Sequence, residues 1–157
     1  MKQSVYLETT IISYLAARPS RDLIVAGHQQ ITLEWWEKVS PKCQCYVSEV
    51  VIEESEKGDI EVSKKRLDLI SDFQVLAVNE EIKKIASIFF EHLRIPEKSR
   101  LDSFHLATAC WYKMDYLLSW NCKHIVSGSV RKLLNEINEE LKIYIPIICT
   151  PEELMEV

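Results

Sequence analysis

The chain is 157 residues long and 47% apolar, with only three glycines and five prolines, which fits one folded core and excludes long disordered stretches. Its 24 acidic residues outnumber 19 basic ones, and the net charge of −5 excludes gripping nucleic acid by bulk charge alone. It does not exclude chemistry at an acidic cleft, where a bound cation reverses the local sign.

Gln3 to Leu7 reads as a strand and Thr9 to Ala17 as the helix after it, broken at Arg18-Pro19-Ser20 because proline cannot continue a helix. A second helix is expected from Asp22 to about Val39, ended by Pro41. Cys45 to Val47 reads as a strand, followed by a helix from Glu49 to Lys57 that Gly58 closes. Asp59 can cap the next helix, to about Ser71, and Gln74 to Val78 reads as a third strand. Asn79 caps the cleanest helical pattern, in which Ile82, Ile85, Ala86, Phe89, Phe90 and Leu93 share one face. Pro96 stops it. A helix over Ser99 to Lys113, a strand over Tyr116 to Trp120, a helix over Val130 to Leu141 and a strand over Ile145 to Cys149 complete the alternation. Thr150-Pro151-Glu152-Glu153 is a capping box with proline at the first helical position.

Strictly alternating strands and helices imply an α/β fold, a mostly parallel central sheet with helices on both faces in three layers (α/β/α). No repeat, low-complexity stretch or long linker divides residues 1–157, so a single domain is expected. No apolar run approaches the roughly 18 residues of a membrane span. No leader-like segment is visible, and a cytoplasmic protein is expected. Five cysteines cannot all pair, and Cys43, Cys45, Cys110, Cys122 and Cys149 lack the spacing of a zinc site, so all five are read as reduced thiols.

Ligands of open parallel sheets bind beyond the carboxyl ends of the strands. Glu8 ends the first strand and Asn121 the fourth; Glu53 and Glu54 lie on the helix after the second, and Asp102 in the first turn of the helix before the fourth. Carboxylates crowded together repel unless a cation joins them, and an all-oxygen set suits a hard ion such as Mg²⁺ or Mn²⁺. Such an ion can orient a phosphodiester and activate a water, giving hydrolytic cleavage. A receiver domain also uses strand-end acids, but the chain lacks the acidic pair and late-strand lysine of that chemistry.

Four stretches, in order, resemble the PIN-domain nucleases, the fold of VapC-type toxin ribonucleases. These are Leu7-Glu8-Thr9-Thr10, the run from Ser48 through Glu54 to Gly58, Asp102-Ser103-Phe104-His105-Leu106-Ala107-Thr108-Ala109, and Leu117-Leu118-Ser119-Trp120-Asn121. The resemblance implies a metal-dependent endoribonuclease that hydrolyses RNA, with Glu8, Glu54, Asp102 and Asn121 as catalytic and metal-holding residues and Mg²⁺ or Mn²⁺ as cofactor. It also implies a toxin held by a small cognate antitoxin, and a homodimer. The Glu-x-x-x-Gly register favours Glu54 over Glu53. Two positions depart from the family pattern: Glu8 and Asn121 stand where most members carry aspartate. The alternative function is therefore a catalytically weakened PIN-like module that binds RNA or a protein partner without cleavage.

Blander roles stand beside each of these. Glu8 can accept amides at a helix start, Asp102 can be a first-turn acid, and Asn121 can be a turn residue. His105, one turn from Asp102, reads as a structural or core histidine, and His124 as a surface residue. Trp35, Trp36, Trp111 and Trp120 read as core or dimer surface. Lys64-Lys65-Arg66, Arg131-Lys132 and Lys123 are candidate phosphate contacts, or a solvated face.

Overall fold

Short apolar strands that alternate with helices are covered on both faces and lie in the middle of a layered structure. The computed structural model describes residues 1–157 and shows this arrangement. The strands are β1 (Ser4–Leu7), β2 (Gln44–Ser48), β3 (Gln74–Leu76), β4 (Tyr116–Leu118) and β5 (Ile147–Cys149), all parallel in the order β3-β2-β1-β4-β5. Seven helices flank the sheet: α1 (Thr9–Ala16), α2 (Leu23–Lys38), α3 (Glu49–Ser55), α4 (Ile60–Leu69), α5 (Glu80–His92), α6 (Leu101–Trp111) and α7 (Gly128–Leu141). This is the three-layer α/β/α architecture expected from the sequence.

β1 is the central strand. Val5, Tyr6 and Leu7 have no exposed surface, and β1 pairs with β2 on one side and β4 on the other. The chain first winds outward from β1 to β2 and β3, then returns to place β4 and β5 on the opposite side. The winding thus reverses between β1 and β4, and the crevice beyond their carboxyl ends is where such sheets bind ligands. One cluster of 33 buried apolar residues runs from Val5 to Leu154, so the last segment closes the same core that the first strand opens.

Local chemistry sets most boundaries. Asp22, Ser48, Asp59, Asn79, Ser127 and Thr150 each accept a backbone N–H in the first turn of the helix they precede. Asn79 Oδ1 accepts Ile82 N–H at 2.8 Å. Asn79→Ala is expected to cost about 1 kcal/mol, read as a lower urea midpoint with an unchanged slope.

Some elements are shorter than their patterns suggest. β3 stops at Leu76, with the Glu49 carboxylate accepting Val78 N–H at 2.9 Å. β5 starts at Ile147 because Pro146 has no N–H to give the ladder. β4 stops at Leu118, and Trp120 N–H donates to Thr10 Oγ1 at 2.9 Å. Helix α3 ends at Ser55, where Arg66 Nε donates to the Ser55 carbonyl at 3.1 Å, and Gly58 turns the chain at φ 87°.

Trp35 is buried in the core, and Trp120 is buried with its indole N–H donating to Thr32 Oγ1 at 2.7 Å; Trp36 is half-buried and Trp111 exposed. All five cysteines are free: Cys43, Cys45, Cys110 and Cys149 are buried, and Cys122 is exposed. No helix is long and apolar enough to cross a membrane.

Candidate metal centre and active-site cleft

Glu8, Glu54, Asp102 and Asn121, which come from four separate parts of the chain, line one cleft of about 580 Å³. The cleft lies where β1 hands over to α1 and where the chain leaves β4. Glu8 is the residue before α1, Glu54 is in the last turn of α3, Asp102 in the first turn of α6, and Asn121 three residues beyond β4. Glu53 does not line the cleft. Its side chain is exposed and lies 4.0 Å from Lys57, which leaves Glu54 as the inward acid of the pair.

Each of the three carboxylates is held by one oxygen. Glu8 Oε1 accepts from the hydroxyls of Thr10 and Ser119, both at 2.6 Å. Glu54 Oε1 accepts from Thr9 Oγ1 at 2.5 Å and lies 2.6 Å from His105 Nε2. Asp102 Oδ2 lies 2.8 Å from His124 Nδ1. The second oxygen of each has no protein donor. Each carboxylate keeps an uncommitted oxygen, the kind of donor a hard divalent cation takes, and Asp102 stands outside the tight cluster that Glu8 and Glu54 form with His105. Carboxylate oxygens of Glu8 and Glu54 and a ring nitrogen of His105 all lie within 4.8 Å of one another.

Asn121 differs from the acids. Its Oδ1 accepts His124 N–H at 3.1 Å, a turn contact, and its own N–H donates to Ser119 Oγ at 2.9 Å. The neutral side chain therefore shapes the loop after β4 while facing the same cleft.

Electrostatics separate the two glutamates. Burial pushes the Glu8 carboxyl above its ordinary range, only partly offset by the charge of His105 and the hydroxyls of Ser119 and Thr10. Burial also pushes Glu54 up, but the hydrogen bond and charge of His105 and the Thr9 hydroxyl outweigh it, so Glu54 falls below. Burial pulls His105 down, and the bond to Glu54 with the charges of Glu8, Glu54 and Asp102 more than reverses this.

The structure corrects one reading. His124, expected on the surface, is half-buried with its imidazole against Asp102, because the turn at Asn121 folds it back over the cleft. Among the basic candidates, only Lys123 lines the cleft; Lys64 and Lys65 are exposed on α4 elsewhere. Arg66 closes the end of α3, donating to the carbonyls of Ser55 and Lys57. Arg131 donates to the Ile148 carbonyl at 3.0 Å beside a separate cleft of about 500 Å³ at the β5 edge. Two lysines not singled out as phosphate contacts, Lys57 and Lys98, also line the acidic cleft. His105, read as a core histidine, is fully buried and bonded to Glu54.

The parallel five-stranded α/β/α sandwich, with acids meeting at its switch point, is PIN-like in fold. Solved VapC structures share it. One is VapBC2 from Rickettsia felis bound to a DNA fragment from their promoter, with TM-score 0.58 and 14% identity over 94% of this chain and 98% of that one. Another is VapC20 from Mycobacterium tuberculosis, a Sarcin-Ricin loop cleaving toxin, with TM-score 0.61 and 11% identity over 79% and 95%. VapBC-1 from nontypeable Haemophilus influenzae gives TM-score 0.58 and 16% identity over 96% and 99%. At 11–16% identity the likeness establishes the fold. No family model and no curated protein matches the sequence.

Proposed function

We propose that the chain is a metal-dependent endoribonuclease that hydrolyses RNA phosphodiesters, acting as the toxin of a toxin–antitoxin pair. The observation that carries this reading is the meeting of Glu8, Glu54 and Asp102 in one cleft, each pinned through one oxygen and free at the other. Those free oxygens are the atoms that would hold Mg²⁺ or Mn²⁺. A bound ion of this kind supplies charge neutralisation and a water acidified enough to attack phosphorus. Asn121 keeps a second lone pair on its amide oxygen, enough to accept from a water in the cleft.

The chain's own charges support an anionic substrate. Three carboxylates and three ammonium groups, Lys57, Lys98 and Lys123, line the cleft, so counted with His124 neutral it carries no formal charge. With a divalent ion in place it is positive, the sign an RNA backbone requires despite the chain's overall −5. Lys98 and Lys123 pair with no carboxylate and are free to meet phosphate.

A partner is supported by apolar exposure on one side of the fold. Leu23, Ile24 and Leu33 of α2 stand 88%, 71% and 42% exposed, and a groove of about 350 Å³ between α1 and α2 is lined by Tyr14, Leu15 and Leu33. A cognate antitoxin that reaches over the cleft, and a homodimer, are the partners we assign. VapBC structures among the neighbours support the antitoxin.

The test uses the purified protein and a hairpin RNA. Cleavage is expected with Mg²⁺ or Mn²⁺ and is expected to stop on adding a chelator; cutting that persists in chelator would overturn the mechanism. The second reading, a binding module without turnover, is favoured by Glu8 and Asn121 standing where the family carries aspartate. It predicts RNA binding without cleavage at any metal concentration, and a gain of cleavage in Asn121→Asp.

A further inference from the structure

A chain of buried hydrogen bonds beneath the cleft is unexplained by ligand binding alone. Tyr6 and His105 have no exposed surface, and neither does Ser48. The Tyr6 hydroxyl lies 2.8 Å from Ser48 Oγ and 2.6 Å from His105 Nδ1, and His105 Nε2 lies 2.6 Å from Glu54 Oε1. Ser48 Oγ in turn accepts the Val51 N–H as the N-cap of α3. The helix that Ser48 caps carries Glu54 in its last turn. The path therefore leaves the start of α3, crosses β1 at Tyr6 and α6 at His105, and returns to the end of α3.

We infer that Ser48, Tyr6 and His105 form a closed brace that positions Glu54 for a divalent cation, and that Tyr6 is its keystone. This rests on the reading of Glu54 as a metal-holding carboxylate. The physical case is that α3 has only seven residues, too few to hold its own last turn in place. Glutamate also has three side-chain torsions to restrain, and ligand orientation is what outer hydrogen-bond partners supply. His105 can donate Nε2–H to Glu54 whether or not its other nitrogen is protonated, so the brace does not depend on the charge of the ring. Tyr6 is the one member bonded to two others of the brace by its hydroxyl alone. Removing that oxygen frees the ring of His105 to rotate, and Glu54 with it, without altering any carboxylate of the cleft chemically.

The experiment compares the wild-type chain with Tyr6→Phe, His105→Gln, His105→Leu and Phe89→Leu, using Mn²⁺ alone as the probe in calorimetric titration. Tyr6→Phe is expected to weaken Mn²⁺ binding by about 10- to 100-fold, the range measured when such outer partners are lost. His105→Gln, which keeps an N–H donor for Glu54, is expected to lose less than His105→Leu. A core truncation on α5, Phe89→Leu, lowers the melting temperature without touching the brace and should leave Mn²⁺ affinity unchanged. In metal-free protein, proton NMR should show a slowly exchanging imidazole N–H far downfield in the wild type that moves in Tyr6→Phe. Equal Mn²⁺ affinity in wild type and Tyr6→Phe, or absence of that resonance, would overturn the brace. Absence of Mn²⁺ binding by the wild type, with the resonance present, would instead overturn the metal reading and the brace's role with it. If Tyr6→Phe fails to fold, the order of His105→Gln and His105→Leu decides.

Discussion

Asp102→Asn is expected to leave the fold and RNA binding intact while lowering the cleavage rate by at least about 10²-fold. The substitution is nearly isosteric. The asparagine carbonyl can still accept from His124 Nδ1, now 2.8 Å from Asp102 Oδ2, so the loop over the cleft keeps its anchor. What changes is the free oxygen, which becomes an amide N–H₂ that repels a cation and cannot ligate it. The effect should fall on turnover rather than on substrate affinity, because the lysines of the rim are untouched. Single-turnover cleavage and a separate RNA-binding titration distinguish the two. A variant that cuts at the wild-type rate would remove Asp102 from the mechanism.

Glu8→Gln should trade function for stability. Burial holds the Glu8 carboxyl above its ordinary range, so the folded chain binds that proton more tightly than the unfolded one. The stability this supplies is complete below the unfolded pKa and is lost as pH rises through the folded value. At neutral pH the metal-free protein therefore carries a buried charge at a cost. Glutamine keeps an oxygen for Thr10 and Ser119 but removes that charge. Metal-free Glu8→Gln should melt higher than wild type at pH 7, with the gap closing as pH falls towards 4. Mn²⁺ at roughly 100 times its dissociation constant adds about 2.7 kcal/mol to a protein that binds it only when folded, or roughly 5 to 11 °C for a chain of this size. Wild type should show that shift and Glu8→Gln should not. A variant that melts lower than wild type without metal would show that Glu8 is structural.

Much of this architecture could be read locally. Helix starts were legible because a capping side chain acts on the next three residues, as Asn79 does for α5 and Asp59 for α4. Strand order along the sheet was not. Glu8, Glu54, Asp102 and Asn121 could be named as a set from their motifs, and the structure brings all four to one cleft. The partners that hold them were hidden for a physical reason. Ser119 reaches Glu8 across 111 positions, Tyr6 meets His105 across 99, and His105 meets Glu54 across 51. No periodicity links residues so distant. Tyr6 sits in an apolar strand and reads as core, which by burial it is; its hydroxyl carries the information. Runs of basic residues left both alternatives open for a related reason, since a run marks charge and not the direction it faces. Lys57 and Lys98 lie outside any run.

The five thiols leave the protein with one practical handle. Burial raises Cys43 and pushes Cys45, Cys110 and Cys149 up to about 12, which keeps them unreactive at neutral pH. Cys122 alone is exposed, between Asn121 and Lys123 of the cleft wall. A maleimide dye added to the unaltered chain would thus attach at a single point, where its emission would report arrivals and departures at the mouth of the cleft in real time.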